Sequence, residues 1–215
     1  MTGRDYIVGC HMMSNTLSVR TRTFHGGVNR VTTCRYCPGV PETPSHALQS
    51  CSKVRDAVTA RHNSLLTKIQ HFLTPNFDSV IREPWFNGVE GRMNPDLVLI
   101  QGRLLYVVDL TVPYDSTIRF MDSQAQRNVD KYQVLEPLLR TKFQVERVKV
   151  LGLAVGARGL YTQTGVDIWA TLGLTERQRR CVSAMALKQS CLIWGLFTGN
   201  RQPQPTLDTG TSAAE

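Results

Sequence analysis

At 215 residues, with 41% hydrophobic and 20% charged side chains, the chain has the composition of a folded domain plus a small appended module, which excludes a disordered polymer. Its net charge of +8 is uneven: residues 1–70 carry nine Lys or Arg against Asp5, Glu42 and Asp56, and such a basic third suits a polyanion, whose phosphates release counterions when neutralised. No run reaches the roughly 20 apolar residues of a membrane helix, residues 1–30 lack the apolar core of a secretory signal, and six unevenly placed cysteines favour metal ligation over disulfides.

Residues 1–30, rich in Thr, Ser, Gly and Arg without a clear period, read as a basic linker from an upstream segment. A compact Cys/His module follows at 31–55, and then a larger domain at 56–199. From residue 53 to 72 the apolar positions Val54, Val58, Leu65, Ile69 and Phe72 suit an amphipathic helix. Residues 97–100 and 104–112 are apolar runs separated by Gln101-Gly102-Arg103 and predict a β-hairpin. Residues 118–142 predict a helix with Ala125, Val129, Tyr132 and Leu135 on one face, limited by Pro137. Strands are expected at 148–155 and 165–172 and a closing helix at 176–194, in which Cys181 and Cys191 read as core residues. The Gln, Pro, Thr, Gly and Ser of 200–215 read as a disordered tail.

Cys34, Cys37, His46 and Cys51 have the spacing C-x2-C-x8-H-x4-C. Two cysteines separated by two residues turn both thiolates towards one ion, and the later His and Cys complete a tetrahedron. Four protein ligands leave no open position for water, so the expected zinc is structural.

Asp109 interrupts an otherwise apolar strand, and an ionised carboxylate buried there is costly unless a cation or hydrogen-bond donors compensate. With Gln101-Gly102-Arg103 as the loop, Ile100 faces Leu104 and Asp96 faces Val108. A shift of one residue makes Asp96 and Asp109 direct neighbours, with Cβ atoms roughly 5 Å apart. That separation lets both bind one hard cation such as Mg2+. Arg127 and Lys131, four apart on the next helix, share a face, and either could direct positive charge at the carboxylates or at a phosphate.

The ordered set Cys34-Arg35-x-Cys37, Glu42-Thr43, His46-Ala-Leu48, Cys51, Arg61-His62-Asn63, Arg92-x-x-Pro95-Asp96, Asp109 and Lys131-Tyr132 resembles one family. It is similar, over roughly residues 16–198, to the restriction-like endonuclease region, with its CCHC zinc knuckle, of ribosomal-DNA-targeting site-specific non-LTR retrotransposon proteins. The resemblance implies an α/β fold with a PD-(D/E)XK core, a mixed sheet flanked by helices, Mg2+ at Asp96 and Asp109, and Lys131 as the catalytic lysine with Arg127 as substitute. The position two after Asp109, where ordinary restriction enzymes carry lysine, is Thr111.

A nucleic-acid-binding set follows: Arg20, Arg22, Arg30 and Arg35 around the knuckle, then Arg61, His62, Arg92 and Arg127. The implied activity nicks double-stranded DNA in the nucleus, so that the released 3′ hydroxyl primes reverse transcription of the element's RNA by a polymerase domain lying upstream. A non-catalytic DNA- or RNA-binding module and a free-standing structure-specific nuclease are the competing readings.

Overall fold

The computed structural model describes residues 2–22, 31–88 and 91–200. Part of the expected linker is helical. In α1 (Gly3–Met13), Thr2 caps the Asp5 amide while the Asp5 carboxylate accepts from the Thr2 amide, and Met12 is fully buried. The residues that cover α1 lie on the last helix, far along the chain, so composition alone misses it. The Cys/His module leads into α2 (Arg55–Leu73), which buries Leu65, Leu66, Ile69 and Leu73 at helical spacing.

Strands β1 (Ser79–Arg82), β2 (Phe86–Gly88), β3 (Gly91–Met93), β4 (Leu97–Gln101) and β5 (Leu104–Thr111) follow. The expected long helix is two, α3 (Ile118–Gln133) and α4 (Glu136–Phe143), with Pro137 in the first turn of the second. Then come β6 (Arg147–Ala154), α5 (Gln163–Thr171) and α6 (Glu176–Phe197). The strand expected at 165–172 is therefore a helix. Thr162 caps it, and Gly165, Ile168, Trp169 and Leu172 recur at helical rather than alternating spacing along its inner side.

The main sheet has the order β1-β4-β5-β6, antiparallel except for the parallel β5–β6 pair, and β2–β3 is a separate antiparallel ribbon. Helices flank this mixed sheet. Leu97, Leu99, Tyr106, Val108 and Leu153 pack with α2, α5 and α6, while Val98, Leu105 and Val107 pack with Tyr132, Leu135 and Leu139 of α3 and its successors. Strand alternation thus feeds two cores from one sheet.

The β4–β5 turn is shorter than expected. Gln101 pairs with Leu104, so only Gly102 and Arg103 lie between the strands, and Gly102 takes φ +56. Leu97 therefore pairs with Val108, and Asp96 comes opposite Asp109. Gly152, the parallel partner of Asp109, has no room for a side chain: a Cβ there would lie 2.0 Å from the Ala125 carbonyl oxygen. This glycine brings α3 down onto the sheet beside the carboxylates.

Cys191 is buried as expected, whereas Cys181 is exposed on the polar side of α6 and is no core residue. Among the described residues no helix is long and apolar enough to cross a membrane. Of the expected tail at 200–215, residues 201–215 lie outside the described residues, as does Arg30.

Candidate metal centre and active site

The Cys/His module is built on a tight return. Thr33 bridges to Pro41, the Cys34 amide donates to the Val40 carbonyl at 2.7 Å, and Gly39 takes φ +74 where L side chains are strained. A short helical turn, His46–Ser50, brings up the third ligand, and Cys51 follows it directly. The candidate ligand atoms of Cys34, Cys37, His46 and Cys51 all lie within 4.8 Å of one another. Cys51 Sγ is 3.8 Å from both Cys34 Sγ and Cys37 Sγ, which matches the edge of a tetrahedron with Zn–S bonds of about 2.3 Å. His46 Nε2 is buried without a hydrogen-bond partner, while Nδ1 is 3.4 Å from the Ser50 hydroxyl. An orphaned imidazole nitrogen among three thiols fits a zinc ion, which these four residues could hold.

Glu42 fastens this module, a role that its place in the motif does not reveal. Its carboxylate is fully buried and accepts from the Arg20 and Arg35 amides and from Arg35 Nε and Nη2, the last at 2.8 Å. Burial pushes its carboxyl up, but Arg35 and the two amides outweigh that and hold it below the usual range. Arg35 also lies over the Phe197 ring of α6 at 5.1 Å. Arg20 donates to the Thr33 carbonyl and Arg22 to the Asn15 carbonyl. Arg20 and Arg35 brace the module, a role that charge counting does not reveal.

The second cluster sits where β4 begins and β5 ends. Asp96 Oδ2 accepts from the Leu110 amide at 2.7 Å and lies 3.3 Å from His62 Nε2, which is also 3.0 Å from the Leu110 carbonyl oxygen. The hydrogen bond to Asp96 is the main cause that raises His62 to about 9, against burial, so this imidazole is cationic at neutral pH. His62, expected to contact nucleic acid, is thus placed beside Asp96 with its side chain 29% exposed.

Asp109 is pushed up to about 6, first by burial and then by the charge of Asp96, against the opposing pull of Lys131 and Tyr132. Tyr132 is buried; it donates to the Asn94 carbonyl at 2.9 Å and lies within hydrogen-bonding reach of Asp109. Lys131 Nζ donates to the Tyr132 hydroxyl at 2.8 Å, which directs the ammonium towards the carboxylates. Arg127, one turn earlier, and Lys131 are both exposed, and the charge of Lys131 pulls the Asp109 carboxyl down.

Arg61, expected in the nucleic-acid-binding set, lies in the interior. It is 1% exposed and donates to Ser190 Oγ, Gln49 Oε1 and the Val112 carbonyl. Burial lowers it to about 10, which leaves it cationic inside the protein. Arg92 is exposed and stacks on Trp85, 4.1 Å from the ring centroid.

No family model matches the chain. A Retrovirus-related Pol polyprotein from the type-2 retrotransposable element R2DM of Drosophila melanogaster is 30% identical over 144 residues, 67% of this chain and 13% of that protein. The corresponding Pol polyproteins from type-1 retrotransposable element R2 of Bradysia coprophila and Popillia japonica are 23% and 26% identical over 92% and 85% of the chain. The chain's homologues are R2 retrotransposon Pol polyproteins. It spans 13%, 23% and 38% of the length of these three relatives, so it corresponds to a part of each. The relationship supports a protein of a retrotransposable element.

Proposed function

We propose that this chain is a metal-dependent DNA endonuclease of the PD-(D/E)XK type, with a structural zinc module, that nicks double-stranded DNA to prime reverse transcription in a non-LTR retrotransposon. The single observation that carries this reading is the pairing of Asp96 with Asp109 across a hairpin end, with Lys131 beside them. Two carboxylates in mutual repulsion, both partly buried, form an oxygen donor set that suits a hard divalent cation. When bound by Asp96 and Asp109, Mg2+ would activate water and offset charge on the phosphodiester.

The chain's own residues divide the remaining work. The Leu110 amide and His62 fix the Asp96 carboxylate; Tyr132 orients both Asp109 and the Lys131 ammonium; Lys131 stabilises negative charge that develops on the phosphate. Zinc at Cys34, Cys37, His46 and Cys51 would hold the N-terminal module in place. Arg92 and Arg127 remain exposed for phosphate contact, and the excess of basic charge supports a DNA partner. The reverse transcriptase and the element's RNA belong to this reading as partners outside the chain, and its site of action is then the nucleus.

The test is a supercoiled-plasmid nicking assay with Mg2+. The wild-type chain should convert the plasmid to open circles, Asp109→Asn should lose this activity while still binding DNA, and Lys131→Ala should slow it by about 10²–10³-fold. An Asp109→Asn protein that nicks at the wild-type rate would overturn the proposal. Binding without nicking by the wild-type protein would favour a non-catalytic module instead.

A further inference from the structure

Trp85 is 56% exposed, whereas the chain's other two tryptophans, Trp169 and Trp194, are 1% and 7% exposed. It stands at the start of the β2–β3 ribbon, whose alternation sends Phe86 and Met93 into the core and leaves Asn87 and Arg92 paired on the outer face. Trp85 shares that outer face, and the Arg92 guanidinium lies 4.1 Å from the centroid of its ring. The result is an exposed indole with a guanidinium over one face, and among the described residues no acid is paired with Arg92.

The backbone beneath this pair is tied to the carboxylate cluster. Asn94 Nδ2 donates to the Glu83 carbonyl at 2.6 Å and to the Pro84 carbonyl at 3.1 Å, the two residues just before Trp85. The Asn94 carbonyl in turn accepts from Tyr132, the residue that orients Asp109 and Lys131. Asp96 is four residues beyond Arg92 in the same segment. The aromatic plane is therefore held in a fixed relation to the candidate chemistry rather than on a free loop.

An exposed indole with a guanidinium against it suits a nucleobase, whose π face stacks on the ring while its phosphate meets the cation. In an intact duplex both faces of each base are covered by neighbours, so only an unpaired base can use such a plane. We propose that Trp85 and Arg92 form a stacking platform for an unpaired base of the DNA strand beside Asp96 and Asp109. This inference rests on the endonuclease reading for the identity of the strand, but its test reads binding and not cleavage.

The experiment uses the full chain carrying Asp109→Asn, without Mg2+, so that no DNA is cut. Three DNAs are titrated: a single strand, a duplex with a short unpaired flap, and an intact duplex. Single strand and flap should quench Trp85 emission and shield it from acrylamide, and the intact duplex should do neither at saturation. Trp85→Ala should weaken binding to the single strand and flap by about 5- to 150-fold. It should leave intact-duplex affinity and the melting temperature unchanged, while Trp85→Phe keeps most of the affinity. Unaltered Trp85 emission at saturating flap DNA, or equal weakening on all three DNAs by Trp85→Ala, overturns the platform. Such a result alongside normal plasmid nicking by the wild-type protein would leave the endonuclease reading standing, so the two failures are distinguishable.

Discussion

Asp109 shows how one residue can announce a site and still need its neighbours to define it. Folded, its carboxyl titrates at about 6; unfolded, it returns to its ordinary 3.8. Between those values the folded protein binds the extra proton, so the associated stability is complete below about pH 3.8 and is lost as pH rises through about 6. In metal-free protein at pH 7 the charged carboxylate therefore destabilises the fold by about 2–3 kcal/mol. Asp109→Asn should raise the metal-free melting temperature by roughly 5 °C at pH 7 and by much less at pH 4; an equal rise at both pH values, by calorimetry, would contradict this account. The anomaly of an acid in an apolar strand was legible in the sequence. The fates of Arg61 and His62 were not: adjacent on α2, one turns into the core towards Ser190 and the other towards Asp96. Nothing in the order of the two letters distinguishes them, because the groups they meet are supplied by other elements.

At the scale of elements, the hairpin and the helix above it set the geometry of the carboxylate cluster. Apolar periodicity located β4 and β5, and a turn of two residues instead of three decided the register that sets Asp96 against Asp109. A shift of one residue moves every side chain to the other face, so this small difference carries the whole site. The approach of α3 is set by Gly152, where even a methyl group would meet the Ala125 carbonyl at 2.0 Å. Gly152→Ala should destabilise the protein by about 1–3 kcal/mol and displace α3, with Lys131 and Tyr132, from the sheet. Denaturant unfolding should report the first effect and a fall in plasmid nicking by the folded fraction the second; unchanged stability would mean that the two elements separate freely. α5, expected as a strand, is a helix, and the Thr162 cap and the burial of Trp169 reveal its period.

Over the whole molecule, the Cys/His module and the sheet domain are joined through a shared core rather than through a flexible connection. Cys34, Ala47, Leu48 and Cys51 pack with Met12 of α1 and with Ile193, Trp194 and Phe197 of α6, while Gln49 holds Arg61. Zinc should therefore stabilise more than its own loop. Protein purified without added metal should contain about one zinc by elemental analysis, and Cys37→Ser should lose it. Stripping zinc with a chelator should lower the melting temperature of the entire domain and raise the solvent exposure of Trp194; a chelated module that unfolds alone, with Trp194 fluorescence unchanged, would contradict the shared core. The sequence by itself determined the four-ligand spacing, the strands and helices with strong periods, the anomalous acid at Asp109 and the basic excess, since each is a property of residues close together in the chain. Only the tertiary structure decided which charges are exposed, which carboxylates meet, and that α1 exists at all. Arg61 and Ser190 are 129 positions apart and Tyr114 and Asn15 are 99 apart, yet each pair is within hydrogen-bonding distance. Burial and electrostatics are set by whichever groups the fold brings together, and that neighbourhood is not local in sequence.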